Sequence, residues 1–185
     1  MSLDPNAVVC FQDEVHFMAE STITRSWYKK GSRPKVKSYP GRKSVAYSGF
    51  ITPSDGKLYV SKLTWFNYET TIESIRAFLR DYAVPDGKRL YLIMDNAPWH
   101  KKARRLILDE NNKEYADIRN SLTIIPLPPY SPDLNPIEQV WRITRREKTH
   151  NHFWPSLDLL TSTLDHWFAQ FAIPNSMLAS LCSFF

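Results

Sequence analysis

Three carboxylates stand where apolar segments of the chain stop. Asp13 follows AVVCFQ (residues 7–12), Asp95 follows LYLIM (90–94), and Glu138 begins a helical pattern soon after LTII (122–125). Carboxyl ends of strands are where open α/β sheets bind their ligands. If the strands that deliver Asp13 and Asp95 are neighbours, the two charges converge, and at 4 Å they repel by roughly 4 kcal/mol at an effective dielectric of 20. A divalent cation reverses that sign. A small set of hard oxygen donors, with positions left for water and phosphate, suits Mg²⁺ or Mn²⁺. No Cys/His zinc set or Gly-rich phosphate loop competes with this reading. Asn96 and His100 follow the second carboxylate closely and are candidates for contacting a substrate or ordering water. His100 also lies at a helix start, where capping or packing would account for it. Glu14 points to the strand face opposite Asp13 and reads as structural.

Glu138 has a second explanation. Asn135, Pro136 and Glu138 occupy the spacing of an N-cap, an N1 proline and an N3 carboxylate, so a bond back to the cap amide would suffice for it. Prolines 126, 128, 129, 132 and 136 remove backbone donors and fix φ, which holds the approach to this helix extended. Both readings of Glu138 stay open on these residues alone.

The elements that must position these groups can be read in order. Residues 7–12 form a first buried strand ending at the acidic pair Asp13 and Glu14. Residues 44–52 and 57–63 flank Pro53-Ser54-Asp55-Gly56 and read as an antiparallel hairpin, with Arg25 to Tyr28 a candidate further strand. Residues 67–82 place Ile72, Ile75, Phe78 and Leu79 on one helical stripe. Residues 90–94 are a strand covered on both faces, followed by a helix over 101–112, a polar surface segment to Asn120 and a strand over 122–125. Ile137, Val140, Trp141 and Thr144 form the inward stripe of the Glu138 helix, and 156–171 is a final amphipathic helix. Helix, buried strand, helix, strand is an α/β arrangement.

Composition narrows the partners. The 185 residues suit one domain with one core. Cys10 and Cys182 lie near opposite ends without zinc or disulfide spacing, which makes a reducing, cytoplasmic setting the expectation. No run approaches the roughly 20 apolar residues of a membrane helix. Net charge is only +5, but it is uneven: Arg25, Lys29, Lys30, Arg33, Lys35, Lys37, Arg42 and Lys43 occur with no acidic residue between Glu20 and Asp55, and Trp27, Tyr28 and Tyr39 are interleaved. Cations with aromatics suit a phosphate backbone and exposed bases, although a solvated hairpin surface would look similar. Lys101, Lys102, Arg104 and Arg105 after the second carboxylate, and Arg142 and Arg145 one and two turns after Glu138, extend the basic set. The plain alternative for Arg142 is an i,i+4 ion pair with Glu138, worth a few tenths of a kcal/mol.

FQDEVHF, LIMDNAPWH and LPPYSPDLNPIEQVW together carry a family likeness. They resemble the catalytic core of the DDE transposases of the mariner-type and related bacterial insertion-sequence superfamily, which share an RNase H-like fold with retroviral integrases. The likeness runs over residues 8–150, and YSPDLNPIE with its following Trp141 is the most specific part. It implies a single α/β catalytic domain over residues 1–185, with an RNase H-like mixed sheet of about five strands, the first three antiparallel, and helices on both faces. It implies that Asp13, Asp95 and Glu138 are metal ligands for two Mg²⁺ or Mn²⁺ ions, with Asp13 bridging both. The implied activity is water-driven cleavage at a transposon end followed by attack of the freed 3′-hydroxyl on target DNA, by a homodimer assembled on DNA. The interval from Asp95 to Glu138 is longer than in the mariner-like members, and the excess is assigned to residues 110–120. Loop closure costs only about 0.6 kcal/mol per doubling of length, so such an insertion is tolerable. It leaves Glu110 and Glu114 as weak rivals for the third ligand.

Relatives of this kind carry an upstream helix-turn-helix region that reads the transposon ends. With twelve residues before Asp13, none is expected within this chain, and end recognition would fall to an upstream or separate partner region. The localisation expected is the cytoplasm, at the nucleoid in a prokaryote. DNA binding by these residues alone is expected to be weak, indifferent to sequence and steeply salt-dependent. Fluorescence anisotropy with unrelated duplexes across a salt series measures this, and a tight, salt-insensitive complex with one short duplex would contradict it.

Overall fold

The computed structural model describes residues 4–37 and 41–183, so Tyr39 of the basic stretch lies outside the described residues. A five-stranded sheet in the order β3-β2-β1-β4-β5 forms the centre. β1 (Ala7–Met18) pairs antiparallel with β2 (Ser44–Thr52), and β2 with β3 (Lys57–Leu63). On its other edge β1 pairs parallel with β4 (Arg89–Met94), and β4 with β5 (Leu122–Pro126). The first three strands are thus antiparallel and the last two are added in parallel, which makes a mixed sheet of the RNase H-like type.

Both faces are covered. α1 (Tyr68–Asp81), α2 (Pro98–Leu108) and the short α3 (Ala116–Ser121) pack on one face, where Ile72, Ile75, Phe78, Ala103, Ile107 and Ile118 meet Cys10, Phe50, Leu90 and Leu92. α4 (Ile137–Thr144), α5 (Leu157–Ala169) and α6 (Ser176–Cys182) cover the other, where Val140, Trp141, Leu164 and Phe168 meet Phe11, Val15, Phe17 and Tyr47. Strand side chains alternate between faces, so even-numbered residues of β1 serve the first layer and odd-numbered ones the second. Cys10 and Cys182 belong to opposite layers and both are free thiols.

Several elements differ from the sequence expectation. β1 does not end at the acidic pair but continues through it to Met18. Beyond Asp13 and Glu14, Val15 and Phe17 are buried while His16 is exposed, so the alternation survives although the apolar run is broken. Arg25 to Tyr28 is not a strand. β1 has both edges occupied by β2 and β4, so this segment does not pair beside it, and it forms an exposed arm joined to the body by a bridge from Thr22 to His150. The second helix starts at Pro98, with the proline at its first position, rather than at Lys101. Residues 110–120 are not a featureless surface: a 3-10 turn (Lys113–Tyr115) leads into α3, whose Ile118 is fully buried. α6 was not foreseen, and its Leu178 and Cys182 complete the second layer.

Closeness between layers is decided at Gly49. A β-carbon there would lie 2.4 Å from Cη2 and 2.8 Å from Cζ2 of the buried Trp141. Gly49→Ala is expected to force the α4 indole out of its seat and to cost about 1–3 kcal/mol. A lowered midpoint in urea denaturation, with the slope unchanged, measures it.

Candidate active site

Register places the two aspartates together. The parallel ladder of β1 and β4 ends at the pair Phe11 and Ile93, and Asp13 and Asp95 each lie two residues further along. An offset of two returns both to the same face, the one covered by α4. Glu138, on the second residue of α4, joins them: all three carboxylates line one cleft of about 400 Å³ together with Asn96, Lys101, Asn135 and the 127–132 loop. Burial first, then the charges of Glu138, Glu14 and Asp95, push the Asp13 carboxyl up to about 7. Among the described residues no three acidic, histidine or cysteine side chains close into a ready-made metal cage. The mutual repulsion felt by Asp13 is the physical reason for such groups to stand apart.

Glu138 is not a cap. Asn135 sends its side-chain amide to the carbonyl of Gln12 at 3.3 Å, and Pro136 takes the cap position, which carries no side-chain bond. The expected capping box is therefore absent and Glu138 is left facing the cleft. The Asn135 amide oxygen is buried and has no hydrogen-bond partner. Arg142 does not pair with Glu138 but donates to the side chain of Gln139. One turn after Glu138, Trp141 donates its indole N–H to Asp13 Oδ2 at 3.1 Å. The same residue thus seats α4 on the sheet and ties Glu138's helix to Asp13.

Asp95 is held differently. Its Oδ1 accepts from the backbone N–H of Ala97 at 2.9 Å and from Nδ1 of His100. His100 Nε2 in turn meets the carboxylate of Glu14 at 2.8–2.9 Å. Burial alone would lower the His100 pKa, but the bonds to Asp95 and Glu14 outweigh it and raise it to about 9, so the imidazole is charged at neutral pH. The His100 hydrogen bond holds the Asp95 carboxyl below its ordinary range, against a smaller effect of burial. Burial pushes Glu14 up, but the bonds from His100, Trp99 and Gln12 prevail and keep it low. Glu14 does face away from Asp13, as expected, yet it reaches the site through His100. Asn96 does not point freely into the cleft: its amide donates to the carbonyl of Leu127 and anchors the start of the proline loop.

The cleft opens into a furrow. Pro132, Asn135 and Glu138 are shared with an adjoining hollow that adds Arg142, Arg145 and His150, and His150 is shared with a third that adds Arg25, Trp27, Tyr28, Arg146 and His152. Of the basic residues singled out from the sequence, Arg25, Lys101, Arg142 and Arg145 line this path. Lys29, Lys30, Arg33, Lys35 and Lys37 are exposed along the arm beyond it. Lys102 is turned aside, its ammonium 3.5 Å from the ring centre of Tyr68. Trp27 is fully exposed, as is Tyr130 on the cleft rim, where a φ of 56° holds it in the left-handed region that side chains seldom adopt. Glu110 and Glu114 are exposed and do not line the cleft. Trp141, Trp99 and Tyr130 were not picked out as site residues from the sequence. The Glu138-to-Trp141 spacing, one helical turn, was the available signal for Trp141; nothing local marked the other two.

The sheet order and the two helical layers define an RNase H-like domain, with carboxylates at the end of its parallel strand pair. The DDE superfamily endonuclease model matches residues 8–161, and the chain belongs to that family. An uncharacterized protein, y4pE/y4sA of Sinorhizobium fredii, is 30% identical over 110 residues, which are 60% of this chain and 72% of that protein. The solved Mos1 mariner paired-end complex with Mn superposes with a TM-score of 0.66 at 20% identity, over 94% of this chain and 51% of that one. The Mos1 strand transfer complex gives 0.63 at 19%, over 94% and 50%. This chain therefore spans about half the length of the Mos1 chains.

The pKa directions set a pH dependence for the metal-free protein. Asp13 and His100 are both raised on folding, so the stability each contributes is present at low pH and is lost as pH rises, through about 7 for Asp13 and about 9 for His100. The thermal midpoint in EDTA is expected to fall from about pH 4 to about pH 9, the Asp13 part complete near 7 and the His100 part lying above about 6.5. Asp13→Asn, which keeps an acceptor for Trp141, is expected to remove the earlier part of that fall and to stabilise the protein at pH 8 by about 1–2 kcal/mol after allowance for solvent in the cleft.

Proposed function

We propose that this domain is the catalytic part of a transposase that cuts DNA at a transposon end and joins the freed 3′-hydroxyl to target DNA. The observation that carries the reading is the convergence of Asp13, Asp95 and Glu138, from three separate elements, on one cleft at the head of a basic furrow. Membership of the DDE endonuclease family supports it, as does the likeness in fold to chains solved as mariner paired-end complexes with Mn and Mg.

Asp13, Asp95 and Glu138 are the residues that would hold the metal. The donor set fits: all three are oxygen ligands lining one cleft, and their charges oppose one another. Two Mg²⁺ or Mn²⁺ ions bound there would activate the attacking oxygen and stabilise the leaving one in an in-line displacement. Trp141 holds one oxygen of Asp13 and fixes the distance between α4 and β1. Arg142 and Arg145 bind phosphates on one side of the scissile bond, and Lys101 on the other. In the first step water adds to phosphorus and the 3′ P–O bond breaks, releasing a 3′-hydroxyl. In the second that hydroxyl attacks a phosphodiester of the target, whose own 3′-oxygen leaves. The arm cations and Trp27 engage flanking DNA, and Tyr130 offers an aromatic face at the cleft rim. Recognition of particular ends is assigned to a helix-turn-helix partner region, and the two ends to a homodimer formed on DNA.

Asp13→Asn or Asp95→Asn is expected to reduce Mn²⁺-dependent nicking of supercoiled DNA by at least about a thousandfold while salt-sensitive DNA binding is retained. Undiminished nicking would sink the assignment. Binding without nicking by the unaltered protein, given Mn²⁺ and a transposon-end duplex, would mark a relative that only binds DNA. Preferential cutting of an RNA–DNA hybrid would mark a different nuclease.

A further inference from the structure

We infer that His100 and Glu14 form a strut that orients Asp95, and through it sets the metal affinity of the site; this rests on the ligand assignment proposed above. Asp95 Oδ1 is fully occupied, accepting both the Ala97 N–H at 2.9 Å and the His100 Nδ1–H. Only Oδ2 remains to face the cleft, so Asp95 acts as a one-oxygen ligand of defined direction. Its side chain is 47% exposed and would otherwise turn in solvent, whereas those of His100 and Glu14 are 2% and 3% exposed.

The far end of the strut is anchored from three elements. Glu14 of β1 accepts from Trp99 Nε1 of α2 at 3.0 Å, from Gln12 Nε2 at 3.0 Å and from Thr71 Oγ1 of α1 at 3.2 Å, besides its bond to His100. The strut crosses from one face of the sheet to the other, and it does so where the β1–β4 ladder has ended and the strands no longer bond to each other. Both ring nitrogens of His100 are committed, so neither is left to order a water or to touch DNA. Of the readings open for it from sequence, this burial fits the packing one.

A merely structural purpose explains the arrangement poorly. Burying a charged pair is a weak source of stability, and apolar replacements of similar size are often neutral or better. Orientation of a ligand by an outer partner, by contrast, is worth 10- to 100-fold in metal affinity. His100 and Glu14 are thus positioning residues, acting through Asp95.

The test titrates Mn²⁺ into the metal-free chain, following free Mn²⁺ by electron paramagnetic resonance, for the unaltered protein, Asp95→Asn, His100→Ala and Glu14→Gln. Thermal melts verify folding, and Mn²⁺ dependence of nicking gives a second readout. Both strut variants are expected to bind Mn²⁺ about 10- to 100-fold more weakly and to need correspondingly more Mn²⁺ for half-maximal nicking, with most of the rate recovered at saturation. Glu14→Gln keeps shape and volume, so it carries the test if His100→Ala does not fold. A folded strut variant with a lowered melting point but unchanged Mn²⁺ affinity overturns the inference alone, provided Asp95→Asn loses binding. Mn²⁺ binding by Asp95→Asn equal to that of the unaltered protein, or no binding by the unaltered protein, overturns the ligand assignment and the strut with it.

Discussion

The register between β1 and β4 is the constraint on which the site depends. Five parallel pairs, ending at Phe11 and Ile93, bring Asp13 and Asp95 out on the same face, each two residues beyond the last bond. A slip of one residue on either strand would send one carboxylate to the opposite helical layer, because strand side chains alternate with period two. Like charges at the end of a ladder oppose folding of the metal-free chain, and the buried apolar layers on both faces of the sheet must outweigh that cost.

Two devices hold the carboxylates against their repulsion, and they work from opposite sides. On the α4 face, the absence of a side chain at Gly49 lets Trp141 approach the sheet, and its N–H fixes Asp13 while its helix carries Glu138. On the α2 face, His100 reaches between Asp95 and the buried Glu14. The first sets the spacing between layers, the second the direction of a single side chain. Each uses a group that belongs to the core as much as to the cleft, which links packing directly to the geometry of the site.

The furrow beyond the cleft carries Arg142, Arg145, Arg25 and Arg146 against one further carboxylate, Asp133, so its balance is basic. Arg142, Arg145 and Arg25 succeed one another along it, and the π turn (Arg145–Thr149) that extends α4 delivers His150 to the junction with the arm. The arm itself lacks a sheet partner and is attached by a few polar bonds, notably those from Asn151 to Thr24. Its cations are therefore solvated in the free protein and open to a polyanion.

The α/β arrangement was legible in local signals, namely apolar runs, the Pro53–Gly56 turn and a helical stripe, whereas the RNase H-like mixed sheet and the grouping of the three carboxylates came with the family resemblance of the motifs. Glu138 was ambiguous there, since Asn-Pro-x-Glu serves a cap as well as a ligand. The tertiary structure removed the capping box, by drawing the Asn135 side chain away to the Gln12 carbonyl, and left Glu138 on the cleft. The extension of β1 to Met18 could have been read from the alternation of Val15, His16 and Phe17, but the acidic pair masked it. That Arg25 to Tyr28 stays outside the sheet, with both sides of β1 taken by β2 and β4, is a matter of strand order, which no local pattern encodes. The same holds for Glu14 and His100, 86 positions apart in sequence. Side-chain type and short-range period determine what each segment can be. Which distant groups meet is decided by register and by the closeness of layers, and these depend on packing across the whole sheet.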